Sequence, residues 1–290
     1  MPKTKDKPKN KHKTAKAPKH TLAEKADRYA LYGLSVQEPS NEAEFFTKTY
    51  EALNGREPRY LREDFCGTHA VCCEWIKLHA DNVAVGVDLD PEPLAWGQAN
   101  LQPKLTEEQR SRITLHEDDV RTKAEIPADV LAAQNFSFFL FKTRDALRDY
   151  FQQARANLAD GGIMVMDMMG GSECYEEDHR DVRTIESDLP GYKKFKYIWE
   201  QKRFNPITAD ALFHIHFKFK DGSRLDKAFT YDWRFWTIPE VTELLKEAGF
   251  SHSAVYWEQT DEDGDETGEF EPATEAEADP SWIAYIVAQK

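Results

Sequence analysis

The sequence predicts an α/β protein, a mostly parallel open sheet flanked by helices and elaborated by an antiparallel β block. Three observations predict it. Residues 58–98 run strand, glycine-containing loop, helix and second strand, ending on acid, which is the order of one βαβ unit. Apolar runs then keep alternating with helix-patterned segments, as a parallel sheet requires. Residues 192–236 break that rhythm with aromatic and apolar residues at period two, the mark of half-buried antiparallel strands.

Taken in order, residues 1–20 hold eight lysines against one aspartate and no apolar periodicity, which predicts a disordered tail. Thr21 with Glu24 predicts a capping box opening a helix through Ala30 and Leu34. Asn41 is read as the cap of a second helix bearing Phe45, Phe46, Tyr50 and Leu53, stopped at Asn54-Gly55. Together these make 21–58 a helical segment ahead of a domain at 59–290.

A strand reaches Glu63 and Asp64, Phe65 to Thr68 form a sharp loop, and His69 to His79 a helix. Val83 to Val87 end on Asp88, Leu89, Asp90 and Pro91, and the next helix runs from Pro91 to Leu101. Ile113 to His116 form a third strand leading into Glu117, Asp118, Asp119 and Val120. Val130 to Ala133 form a fourth, which delivers Gln134 to Ser137. Thr143 caps an amphipathic helix with Leu147, Tyr150, Phe151, Ala154 and Leu158 on its apolar face. Ile163 to Met166 form a fifth strand opening on Asp167, and Gly170-Gly171 predict a hinge or a loop over a pocket.

The β insertion covers about 190–236. Thr237 and Glu240 form a second capping box around Pro239, and the helix they open ends at Gly249-Phe250. Val255 to Trp257 and Trp282 to Val287 complete two last strands. Between them, about 258–280, lies an acidic loop with no basic residue, read as disordered or partner-binding.

Composition narrows the function. The chain of 290 residues carries a net charge of −14, and with +7 in residues 1–20 the rest carries −21. An acidic body opposes phosphate backbones, so nucleic acid is an unfavoured partner. No apolar run approaches the ~20 residues of a membrane span, and no secretory segment is evident, so a cytoplasmic location is expected. Cys66, Cys72, Cys73 and Cys174 have neither disulfide nor zinc spacing. His214 and His216 share a strand face without a third ligand, among lysines, so no metal site is expected and a solvated face is.

The chemistry concentrates at 58–98. A βαβ unit leaves a crevice at the carboxyl ends of its strands, and an acid ending the second strand accepts hydrogen bonds from ribose hydroxyls. Asp88 follows Gly67 by the required spacing of about 20 residues. A pyrophosphate needs a cradle of several glycines, which Phe65 and His69 would obstruct, so a nucleoside ligand without phosphates fits better.

This stretch resembles motif I and the acidic loop of class I S-adenosylmethionine-dependent methyltransferases, whose first loop commonly reads acid-x-Gly-x-Gly-x-Gly. Cys66-Gly67-Thr68 lies on its core, Glu63 takes the acidic position, and Phe65 and His69 stand where glycines usually sit. The Arg-Glu-Asp-Phe-Cys-Gly-Thr run is similar to bacterial-type small-molecule members.

The resemblance implies a Rossmann-like seven-stranded class I methyltransferase sheet, an antiparallel β insertion between strands 5 and 6, and an N-terminal helical lid. It implies S-adenosyl-L-methionine as cofactor and methyl transfer to a small polar metabolite. Cofactor contacts fall on Glu63, Phe65, Cys66, Gly67, Thr68, Asp88, Leu89, Asp119, Val120 and Asn135. Asp119 and Val120 correspond best to the adenine-binding position, with Asp118 one register away. Substrate contacts fall on Tyr29, Tyr32, Phe136, Ser137, Arg203, Trp233 and Arg234, the arginines as carboxylate clamps between aromatics. Gln37 on the leading helix joins them. His69, Asp167 and Tyr32 are candidates for a general base. The insertion also offers a surface for homo-oligomer formation. Methylation of protein or RNA guided by the lysine tail, and a non-catalytic S-adenosylmethionine-binding scaffold, are the alternatives.

Overall fold

The computed structural model describes residues 20–261 and 266–290; the predicted disordered tail lies, but for His20, outside them. The Thr21–Glu24 box forms but closes only a 3-10 turn at Ala23–Lys25. The first true helix, α1 (Arg28–Val36), is opened by Asp27, whose carboxylate accepts from the Tyr29 and Ala30 amides. Helix α2 (Pro39–Asn54) starts at Pro39, whose fixed φ suits a first turn, and not behind Asn41 as expected. It ends on left-handed Gly55.

The parallel core then follows in sequence: β1 (Tyr60–Asp64), α3 (Ala70–Leu78), β2 (Val83–Asp88), α4 (Pro91–Asn100), a short α5 (Glu107–Ser111), β3 (Ile113–Glu117), β4 (Ala128–Ala133), α6 (Arg144–Ala156) and β5 (Leu158–Gly170). An antiparallel block comes next, β6 (His179–Glu186), β7 (Lys194–Phe204), β8 (Asp210–Lys218) and β9 (Arg224–Arg234). Helix α7 (Ile238–Glu247), opened by the predicted Thr237–Glu240 box, leads to β10 (His252–Thr260), β11 (Glu266–Ala273) and β12 (Trp282–Gln289).

The main sheet has eight strands in the order β11-β10-β12-β5-β4-β1-β2-β3. Seven match the expected sheet, with β12 antiparallel to β5. The eighth corrects the reading of the acidic run as a loop: β11 pairs with β10 along Val255–Thr260, and Phe270 packs on Phe45 and Tyr285. Acids on an exposed edge strand also discourage edge-to-edge pairing.

The four-stranded sheet starts at His179, earlier than the predicted 190, because β6 is almost wholly exposed and has no apolar alternation to read. Its inner face meets α1 in a cluster of Leu31, Phe195, Tyr197, Ile215 and Phe217. His214 and His216 on its outer face are buried, not solvated. His216 sits between Glu200 and Asp226 (3.1 and 3.0 Å) and His214 bonds Thr230 (2.9 Å). Gly170-Gly171 is no hinge, since a methyl group at either would strike Trp282 or the Pro280 carbonyl.

Helices α2 and α3 cover one face of the main sheet and α6 and α7 the other. Strands β1, β2, β4 and β5 therefore lie between two apolar layers, with β3 a largely exposed edge, and the carboxyl ends open under α1 and the second sheet.

Candidate functional site

The loop after β1 is built from strained backbone. Phe65, Gly67 and His69 all have positive φ, 57°, 51° and 48°. The left-handed conformation costs a non-glycine residue about 1–2 kcal/mol, so packing must hold Phe65 and His69 there. Phe65 lies on Tyr150 and Phe141, ring centroids 5.5 and 6.1 Å away. His69 is fully buried against Gly97 of α4, and Gly97 leaves no space for a methyl group beside the Thr68 carbonyl and the His69 ring. In sequence, Phe65 and His69 stand where the resemblance puts glycines. The backbone is left-handed at all three positions, two of them without a glycine.

A side chain added at Gly67 would meet nothing within 4 Å, so the loop's inner edge faces open space. The Gly67 amide donates to Asp88 Oδ2 at 2.8 Å, and Asp88 Oδ1 accepts from the Asp90 amide at 2.8 Å. Burial pushes the Asp88 carboxyl above its usual range, with these amides opposing it. Leu89 beside it is 68% exposed, an apolar surface next to the carboxylate.

Glu63 is buried and accepts from the Cys72 amide at 3.0 Å, in the first turn of α3. It fixes the helix that follows the loop, where the helix dipole favours an anion. Cys66 is buried against Gly86, and burial raises its thiol well above the usual value, so it packs and does not react. Thr68 is buried at the same turn.

The adenine candidates already have partners within the chain. Asp119 accepts from the Arg121 guanidinium at 2.6 and 2.9 Å and from its amide at 2.8 Å, which holds its carboxyl below the usual range. Val120 is buried in the core, its carbonyl accepting from Arg62 at 2.7 Å. Arg62 in turn pairs with Asp64 at 2.7 Å, both buried, and Tyr150 donates to Asp64 at 3.1 Å. This network anchors the β3–β4 loop to β1. Sequence reading missed it, although Arg62 and Asp64, two apart in a strand, share a face.

At the end of β4, Asn135 and Phe136 are again left-handed (φ 60° and 57°). Asp167, at the end of β5, accepts both their amides at 3.0 Å, and burial raises its carboxyl to about 7. Tyr32 of α1 donates to Asn135 Oδ1 at 3.2 Å, and burial raises its hydroxyl well above the usual value, with Tyr231 beside it. Trp233 meets the Phe136 ring edge-on at 6.3 Å and stacks on Tyr231 at 4.4 Å. Ser137 donates to the Gln134 carbonyl at 2.6 Å. Tyr32, Asn135, Phe136, Asp167 and Trp233, dispersed over 200 residues, are thus brought together.

Other candidates are not. His69 lacks any route to solvent, and burial lowers its ring to about 4, so it fills space and is no base for an acceptor. Arg234 bonds the Lys142 carbonyl and Glu240 (3.1 and 3.3 Å) and stacks over Trp236 at 3.8 Å. Arg203 stands exposed at a bulge of β7, beside a Phe204 that packs on Tyr175 and Phe235. Tyr29 is held by Arg28 at 2.8 Å and packs on Trp96 at 5.7 Å. With Gln37 it lines a cleft of about 720 Å³ between α1, α3, α4 and the 188–192 turn, which touches the loop only through Thr68. Among the described residues no cluster has metal-site spacing, and no helix is long and apolar enough to cross a membrane.

No protein-family model and no curated protein matches the chain. Solved structures do. An amino pentose methyltransferase of calicheamicin biosynthesis from Micromonospora echinaspora, bound to S-adenosylmethionine, has a TM-score of 0.63 at 15% identity, covering 90% of this chain and 95% of its own. An S-adenosylmethionine-dependent methyltransferase from Clostridium acetobutylicum gives 0.64 at 14%, over 90% and 96%. A sugar N-methyltransferase from a Streptoalloteichus species gives 0.62 at 16%, over 96% and 97%. At these identities the likeness is one of architecture: the chain has the class I methyltransferase fold.

Proposed function

We propose that this protein is an S-adenosylmethionine-dependent methyltransferase acting on a small polar molecule, with an amine as the acceptor group. The observation that carries this is the left-handed 65–69 loop, open at Gly67 and tied to Asp88 at the end of β2. A nucleoside-binding crevice of this fold needs that combination. The similar structures of an amino pentose methyltransferase and a sugar N-methyltransferase support the acceptor class.

S-adenosylmethionine, when bound, supplies a sulfonium methyl for in-line displacement. Asp88 accepts hydrogen bonds from ribose hydroxyls while keeping its bond to the Gly67 amide, because each carboxylate oxygen has two lone pairs. Leu89 offers its apolar surface to the nucleoside. Asp167 fixes the strained Asn135–Phe136 turn through two amides and so acts as a positioning residue. Tyr32, Asn135 and Trp233 present a polar and aromatic wall at that turn, which orients an acceptor and excludes water. A neutral amine needs only orientation and a late proton acceptor; His69, the imidazole beside the loop, is fully buried and does not serve. Helix α1 closes the crevice through exposed, breakable contacts: Arg28 to Glu92 at 2.6 Å and Trp96 to Asp27 at 2.7 Å. It is the lid in this proposal.

The test is incubation with methyl-labelled S-adenosylmethionine and a panel of amino sugars, hydroxylated sugars and amino acids. Label transferred to amine nitrogen supports the proposal. Label found only on added protein or RNA refutes the small-molecule assignment.

A further inference from the structure

The cleft of about 720 Å³ that Tyr29 and Gln37 line lies behind the lid, outside the methyl-donor crevice. One side of it is α1 with the turn at Ala23–Lys25 and the 188–192 turn; the other is α3, α4 and the residues that follow α4. The two sides meet where Trp96 donates to Asp27 at 2.7 Å and packs on Tyr29. Trp96, Leu101 and Leu189 give the cleft apolar surface, and Leu34, 45% exposed, stands uncovered on its wall. The volume is that of a pocket for a small organic molecule.

Gly33 lies inside α1 and on the cleft wall, on one helix face with Tyr29 and Gln37. Glycine inside a helix is destabilising relative to alanine, because it has more backbone freedom to lose. Packing does not require it here. Among the described residues, a methyl group at Gly33 would meet only the Gln37 side chain, at 3.8 Å, an ordinary contact. Helix α1 therefore gives up stability at a position where no neighbour needs the space. What the glycine preserves is the cleft.

The charges around it select the ligand. Lys25, Lys77 and Lys104 line the cleft of an otherwise acidic body, together with Asp27, Glu74 and Asp188. Asp27 is engaged by two α1 amides and by Trp96, and Glu74 pairs with Lys77 at 2.6 Å. Lys25 and Asp188, both on the lid side, cancel in charge. Among the described residues no carboxylate pairs with Lys104. Burial pushes the Cys73 thiol up to about 12, and the charges of Lys77 and Lys104 oppose it, which places both lysines at the α3 end. That end is positive.

We propose that this cleft is a second ligand site, for a small organic carboxylate with an apolar, ring-sized body. The carboxylate lies at Lys104 and Lys77, and the body against Gly33, Leu34, Trp96 and Leu101. Such a ligand bridges the lid to α3 and α4. Helix α1 presents Gly33 to the cleft and Tyr32 to Asn135 in the crevice, so both sites favour the same position of one helix. Each ligand therefore raises the affinity for the other. The coupling rests on the methyl-donor function proposed above; the second site does not.

The test is calorimetry on the full chain with naphthaleneacetate and its uncharged amide, which share one apolar body. The carboxylate is expected to bind one-to-one and the amide several-fold more weakly, roughly the factor that an exposed ion pair supplies. Lys104→Ala closes that gap. Gly33→Leu loses both ligands while its melting temperature holds or rises; a glycine kept for packing would make the variant melt lower. Saturating naphthaleneacetate tightens S-adenosylhomocysteine binding. No saturable binding of the carboxylate, equal affinity for the amide, or binding that survives Gly33→Leu would overturn the second site. Naphthaleneacetate binding without effect on S-adenosylhomocysteine would overturn the coupling alone. A chain that takes naphthaleneacetate but not S-adenosylhomocysteine would overturn the methyl-donor reading and leave the second site standing.

Discussion

Gly67 and Asp88 allow binding to be separated from folding at the scale of single residues. A methyl group at Gly67 meets nothing within 4 Å, so Gly67→Ala costs only the left-handed backbone term, about 1 kcal/mol. Its methyl group projects into the crevice, so S-adenosylhomocysteine affinity is expected to fall by far more than the stability measured by urea unfolding. The position of Asp88 was legible in sequence because strand, loop and strand within 40 residues set it. The burial of Glu42 was not: its helix packs on the sheet face of Glu63 and Asp167 only through the tertiary fold, and an acid on an amphipathic helix reads as solvent-facing. The settings of Arg234 and His69 were not legible for the same reason. Glu240 claims the first, and Gly97 permits the burial of the second.

At the scale of elements, two contacts hold the crevice in shape. Helix α4 approaches the loop at Gly97, where Gly97→Ala forces a clash with the Thr68 carbonyl and the His69 ring. The expected cost is about 1–3 kcal/mol with weakened S-adenosylhomocysteine binding, measured by thermal melting and calorimetry. Strand β1 holds the β3–β4 loop through Arg62. Arg62→Met leaves Asp64 buried without its partner and the Val120 carbonyl without its donor, and should lose about 3 kcal/mol or more at pH 7 in urea unfolding. Most strands and the helix caps at Thr143 and Thr237 could be read from periodicity and capping chemistry. Strands β6 and β11 could not. Both are exposed edge strands carrying charge, and they are strands because a neighbour pairs with them.

At the scale of the whole molecule, the buried carboxyls set the pH response. Glu42, Glu63, Asp64 and Asp167 are raised by burial to about 8, 7, 6 and 7. Each binds its proton more tightly when folded than when unfolded. Their stabilisation is complete below the unfolded value near 4 and is lost as pH rises through the folded values. The unliganded protein should therefore melt at a lower temperature at pH 8.5 than at pH 6, and net self-repulsion of a −14 chain acts the same way. Glu42→Gln should flatten the upper end of that decline. The parallel sheet was visible in sequence as alternating strands and helices. How α1 and the second sheet enclose the crevice was not, because that enclosure depends on long-range aromatic packing around Leu31, Phe217 and Phe229.

The central claim is that the loop at 65–69 and Asp88 form a nucleoside site for a methyl donor. Calorimetric titration of the natural protein and of Asp88→Ala with S-adenosylhomocysteine tests it most directly. Saturable one-to-one binding that weakens tenfold or more in the variant is the predicted result, since two hydrogen bonds to a charged group are lost. Absence of binding, or binding indifferent to Asp88, would contradict it.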